Sequence, residues 1–133
     1  MKKLLCFFLI LGTLLISCSE KPDCEDIVCT MEFRMITVKF VDATGNPQIV
    51  KDFTVVNKRT GERMTPVNDM ANQGIYVVAS DSDILKLSEK GDNVLVSAID
   101  SKTNVKLEVE YLIAGGLCSC HVTKISGPDT VKL

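Results

Sequence analysis

A chain of 133 residues is one domain's worth of sequence, and 15 basic against 17 acidic residues leave no basic excess for nucleic acid or an anionic lipid surface. It has no Trp and few other aromatics, which excludes a large aromatic binding platform. No Walker loop, Gly-rich dinucleotide loop or basic-aromatic patch is present, so neither a nucleotide cofactor nor nucleic acid is expected.

Met1-Lys2-Lys3 supplies a positive start, and Leu4 to Ile16 is an apolar run without charge, within the roughly 7–15 residues of a secretory signal. The run is shorter than the about 20 apolar residues that a spanning helix needs. It closes on Leu15-Ile16-Ser17-Cys18, an aliphatic pair, a small residue and a cysteine, which resembles the lipobox of bacterial lipoproteins. In that family the cysteine sulfur takes a diacylglycerol, the signal is cut just before it, and the new amine is acylated. The resemblance implies a signal peptide at 1–17, lipidation at Cys18, and a protein held in the cell envelope, at the outer membrane, with no transmembrane helix. Two or more acyl chains, each contributing about 0.8 kcal/mol per buried methylene, suffice for stable anchoring.

Cleavage there leaves 13 basic and 17 acidic residues, a net charge of about −4 with the single His121 neutral. Residues 18–28 read as the lipidated N-terminus and a tether, because Ser19-Glu20-Lys21-Pro22-Asp23-Cys24-Glu25-Asp26 is polar, acidic and interrupted by proline. Acidic residues in that place also resemble the surface-export signals of some Bacteroidetes lipoproteins.

Residues 29–133 form the expected domain. Short runs rich in Val, Ile, Thr and Phe are separated by turn residues at the spacing of an all-β sandwich, and no stretch keeps a helical period. A first strand is expected over 32–42, with Ile36, Val38 and Phe40 inward. Phe33 and Met35 stand on the opposite parity, which predicts a bulge near Met35 or a strand buried on both faces. Ala43-Thr44-Gly45-Asn46-Pro47 is turn chemistry. A second strand over 51–58 aims Phe53 and Val55 inward, and Arg59-Thr60-Gly61-Glu62 turns it towards a short strand at 63–65. Gly74 to Ala79 is the next strand.

The segment 84–89 fits a helical turn or a short strand, and an extended crossing is expected. Asn93 to Asp100 aims Val94, Val96 and Ala98 inward, and Ser101-Lys102-Thr103-Asn104 makes a hairpin turn. Val105, Leu107, Val109, Tyr111 and Ile113 alternate with Lys106, Glu108, Glu110 and Leu112, the clearest period of two in the chain. After Gly115-Gly116, a strand over 117–125 is expected to place Cys118, Cys120 and Val122 on one face and Ser119, His121 and Thr123 on the other. Gly127-Pro128 is read as a turn before a short strand at 130–133.

Seven or eight such strands predict a small immunoglobulin-like or transthyretin-like antiparallel β-sandwich. The Val-Lys-Phe-Val-Asp strand, the Gly-Asn-Pro turn and the Gly-Ile-Tyr strand resemble the transthyretin-like and carboxypeptidase-regulatory-like sandwiches over about 33–113. That resemblance implies a module without catalytic activity.

With Cys6 in the signal and Cys18 carrying lipid, Cys24, Cys29, Cys118 and Cys120 remain. An even set in an exported chain reads as two disulfides. Cys118 and Cys120 on one strand face would stand about 7 Å apart, beyond the 3.5–4.5 Å between disulfide Cβ atoms, which argues against their joining each other. A first-to-last contact across the sandwich would pair Cys29 with Cys120 and leave Cys24 for Cys118. The alternative is a thiol or zinc protein using Cys118, Cys120 and His121. Cys-x-Cys on a strand, with His121 on the other face, is poor zinc geometry. No helix N-terminus is at hand to activate a thiol.

Asp81, Asp83 and Asp100 lack the spacing of a calcium loop and read as solvated loop carboxylates. His121 with Ser119, two residues along one face, is too far apart for a nucleophile and its base. The expected function is therefore an accessory or interaction module of the envelope, with no metal and no cofactor. The expected partners are the membrane, through the lipid on Cys18, and an unidentified envelope protein or glycan. A binding face is expected on loops 46–48, 67–74 and 81–83 at one end of the sandwich.

Overall fold

The structure is a computed structural model describing Cys24 and residues 27–65 and 71–133. Its strands are β1 (Met35–Val41), β2 (Val50–Asn57), β3 (Ile75–Ser80), β4 (Asp92–Asp100), β5 (Lys106–Ala114), β6 (Thr123–Ser126) and β7 (Thr130–Lys132). They make two sheets, ordered β3-β1-β7 and β2-β4-β5-β6, so the chain folds as the all-β sandwich that its alternation predicts. Inward residues from both sheets form one core: Val38 and Phe40 from β1, Val55 from β2, Val94 and Val96 from β4, Tyr111 and Ile113 from β5. Phe40 and Phe53 enclose Tyr76, with ring centroids 5.5 and 4.8 Å from its own. The Tyr76 hydroxyl accepts the Val50 amide at 2.9 Å, tying β3 of one sheet to β2 of the other.

Several expectations are corrected. Segment 81–86 is a 3-10 helix rather than an extended crossing, because Asp83 turns back to accept the Ser80 amide at 3.3 Å and organises the turn. Residues 117–122 are not strand. Ser119 hydrogen-bonds back to the Gly115 carbonyl at 2.7 Å, so the alternation of faces drawn for Cys118 to Thr123 does not apply, and the ladder resumes only at Thr123. The strand at 63–65 is a single bridge from Arg63 to Val56. The register shift predicted near Met35 falls between Ile36 and Thr37, while Phe33 and Met35 stay exposed. A second bulge, unforeseen, lies between Lys51 and Thr54 around Asp52, whose φ is +50°.

Gly127-Pro128 does not reverse the chain. β6 is antiparallel to β5 in one sheet, and the chain then steps across and continues in the same sense as β7 in the other, where it lies parallel to β1. The step is a sheet switch. It explains why one pair departs from the antiparallel arrangement. Gly127 has φ +127°, and a Cβ there would overlap the Tyr111 ring, whose hydroxyl donates to the Pro128 carbonyl at 2.7 Å.

The strand directions give the sandwich two distinct ends. β1 starts, β3 and β5 finish and β4 starts at the end where the N-terminal segment arrives, which we call proximal. The turns at 42–49, 71–74 and 101–105 lie at the opposite, distal end.

Candidate functional site

The proximal end holds nearly all of the domain's tertiary polar chemistry. Cys24 is joined to Cys118 and Cys29 to Cys120, with Cα separations of 5.3 and 5.2 Å. These bring together the four cysteines that the sequence argument paired, although by different geometry. Cys29 lies well ahead of β1, and both C-terminal partners stand in the looped connection between β5 and β6, not on a strand. The first-to-last contact exists because β7 pairs with β1 and draws the two chain ends together.

Beside the bridges sits a carboxylate hub. Asp81, at the start of the 3-10 helix, accepts the Arg34 amide at 2.8 Å and the Val122 amide at 2.9 Å, and lies 2.8 Å from His121 Nδ1. Burial pushes its pKa up, but the Arg34 amide, His121 and the Val122 amide outweigh that and hold it below the usual carboxylate range. An ionised carboxylate only accepts, so His121 Nδ1 donates to it. In the neutral ring, Nε2 then accepts from the Thr30 hydroxyl, 2.9 Å away. Hydroxyl, imidazole and carboxylate thus stand in the order of a hydrolytic triad. They also cross-link three segments remote in sequence, the lead into β1, the β3–β4 connection and the β5–β6 loop, directly beside the Cys29–Cys120 bridge. As a clasp the set closes the end of the sandwich. Sequence reasoning missed Thr30 because it lies 91 positions from His121, and it weighed Ser119, whose hydroxyl is committed to Gly115 instead.

The alternative thiol or zinc site has no free sulfur while both bridges stand, and His121 is held by Asp81 and Thr30. Among the described residues no group of three or more His, Cys, Asp or Glu is placed to hold a metal ion. Of the three aspartates read against calcium, Asp81 and Asp83 share the 3-10 helix, Asp100 lies at the distal end, and each is separately bonded. Asp83 pairs with Lys86 at 2.8 Å, whereas Asp100 closes the distal hairpin through the Thr103 hydroxyl at 2.5 Å. Nor are Asp83 and Asp100 the solvated carboxylates expected: they are 0% and 6% exposed, since each satisfies backbone amides that a turn would otherwise leave without partners.

A second hub, Asp92 at the start of β4, was not foreseen. It accepts Arg59 Nε and Nη2 at 2.7 and 2.8 Å, Asn57 Nδ2 at 2.7 Å, and the Ser88 hydroxyl and amide at 2.8 and 3.1 Å. The Arg59 guanidinium, aided by Asn57 and Ser88, holds its carboxyl far below the usual range against its burial.

The expected binding loops do not share one end. Phe40 accepts the Gln48 amide and donates to the Gly74 carbonyl, so 46–48 and 71–74 meet at the distal end. Asp81 to Asp83 lie at the other end of β3, about 17 Å away by strand rise. Residues 66–70 of the middle loop lie outside the described residues, as does Cys18. The distal end is a surface of turns. Asp42 gathers the Thr44 hydroxyl at 2.7 Å and the Asn46 amide at 2.9 Å, and these donors, Thr44 first, lower its pKa to about 2. Comparison with protein-family models, curated proteins and solved structures finds no significant match.

Proposed function

We propose that this chain is an exported lipoprotein, anchored to the outer membrane through lipid on Cys18, that serves without catalysis as an interaction or accessory module of the cell envelope. The observation that carries the export half of the reading is the pair of disulfides. Both join the segment just after Cys18 to the β5–β6 loop, and structural bridges of this kind form and persist in oxidising compartments and are rare in reducing ones. The tetrapeptide Leu15-Ile16-Ser17-Cys18 supports the anchor. The module half is supported by the fate of the reactive side chains: four thiols are bridged, and the carboxylates of Asp81 and Asp92 are occupied by internal donors. The ligand is an envelope protein or glycan, received on the distal turns at 42–49, 71–74 and 101–105, where loops on a rigid scaffold are free to vary.

Fractionation and metabolic labelling with an alkynyl fatty acid test the anchor. Wild-type protein should label and pellet with membranes, and Cys18→Ala should do neither. A Cys18→Ala protein that remains in the membrane fraction would overturn the lipoprotein reading. Labelling of Thr30 by a fluorophosphonate probe would overturn the non-catalytic one, because it would make that hydroxyl an activated nucleophile.

A further inference from the structure

Among the described residues, six of the ten exposed large apolar side chains, Ile27, Val28, Met31, Phe33, Met35 and Leu117, lie on the two segments that the bridges clamp together. Val28 is 93% exposed. An apolar strip of that kind marks a contact surface. Covalent geometry names its occupant. Only residues 19–23 stand between Cys18 and Cys24, so the Cα of Cys24 lies no further than about 20–22 Å from that of Cys18. Cys24 is in turn bonded to Cys118. The bridge therefore shortens the leash to less than the length of the body, since β4 alone, at nine residues, runs about 30 Å. Whatever surface holds the lipid of Cys18 is within reach of the proximal end, and the domain cannot stand on it distal end down.

We infer that the proximal apolar strip of 27–35 and Leu117 seats on the bilayer that holds the Cys18 lipid, fixing the domain upright with its distal turns outward. The inference rests on the lipoprotein reading above and adds the orientation. Glu20, Asp23, Glu25 and Asp26 against Lys21 make the segment 19–26 acidic, which disfavours anionic headgroups, so the layer that the strip meets is the interface of a zwitterionic bilayer. The disulfide between Cys24 and Cys118 is then an orienting device as much as a stabilising one.

The chain has no Trp, so a single introduced one reports alone. Full-length lipidated protein carrying Met31→Trp or, at the distal turn, Lys102→Trp is reconstituted into phosphatidylcholine vesicles with or without bromine on the upper acyl chain. A side chain seated about 5–10 Å into the headgroup boundary is quenched there. Met31→Trp should lose most of its emission to brominated lipid and Lys102→Trp none, and Leu117→Trp repeats the first result from the other clamped segment. Vesicle flotation and mass measurement of the Cys18 peptide separate the two ideas. Protein that floats with acylated Cys18 but shows Met31→Trp and Leu117→Trp unquenched overturns the orientation alone. Protein that neither floats nor carries lipid overturns the anchor, and the orientation with it. Unquenched emission accompanied by self-association in sedimentation would assign the strip to a second copy, and the bilayer would be ruled out.

Discussion

Replacing Asp92 by Asn keeps the shape of the side chain but removes its charge and turns one accepting oxygen into a donor, which tests the hub directly. The carboxylate is 4% exposed and accepts five hydrogen bonds: Oδ1 from Arg59 Nε and the Ser88 hydroxyl, Oδ2 from Asn57, Arg59 Nη2 and the Ser88 amide. An Asn amide offers one accepting oxygen, so whichever way it turns, at least two donors face an NH2 group and lose their acceptor. Hydrogen bonds to charged groups contribute about 1.5–3 kcal/mol each, and at least two are lost at a buried site, whereas the exposed Arg59 regains water. We expect Asp92→Asn to lose about 3–5 kcal/mol, a large share of the 5–15 kcal/mol typical of a domain. Urea titration should show the midpoint falling with the m-value unchanged. Arg59→Met should cost less, because its side chain is 54% exposed and Asn57 and Ser88 still serve the carboxylate. The two changes should also be non-additive. An Asp92→Asn protein within 1 kcal/mol of wild type would refute the view that this carboxylate organises the proximal end.

Gly127→Ala should destabilise by about 2–4 kcal/mol, since its Cβ overlaps the buried Tyr111 ring at a positive φ, and thermal unfolding by circular dichroism would read it. Removing one bridge as the pair Cys29→Ser and Cys120→Ser should cost about 2–4 kcal/mol, and non-reducing peptide mapping should still find Cys24 joined to Cys118. Asp42, Asp81 and Asp92 have folded pKa values below those of the unfolded chain. Their contribution is therefore complete above about pH 4 and is lost as pH falls through the folded values. Denaturation midpoints should accordingly decline from about pH 4 towards pH 2, and a flat profile there would contradict the hubs. On β5, Val109→Asp should be far more damaging than Glu108→Lys, because Val109 packs against the core while Glu108 is exposed beside Lys106.

Local alternation and turn chemistry made β1, β2, β3, β4 and β5 legible, because a strand with one wet face and one dry face writes its period directly into the sequence. The inward sets Val94, Val96 and Ala98 on β4 and Tyr111 and Ile113 on β5 stand where that period puts them. The same logic failed where short-range hydrogen bonds outweigh periodicity. Asp83 curls 81–86 into a helix, and Ser119 with two half-cystines holds 117–121 off the ladder although the alternation continues through them.

What the sequence by itself determined is composition-level and local: an all-β domain, an even set of four cysteines after the tetrapeptide at Cys18, and the inward face of each long strand. Tertiary structure alone decided that the chain switches sheets at Gly127 and returns parallel to β1, because nothing in a glycine-proline step distinguishes a reversal from a crossing until Tyr111 is packed beneath it. It also decided which polar residues matter. Thr30, Asp81 and His121 are separated by tens of residues along the chain, as is Asp92 from Asn57 and Arg59. Their hydrogen bonds exist only once strand pairing and packing have brought the strand ends to one end of the body.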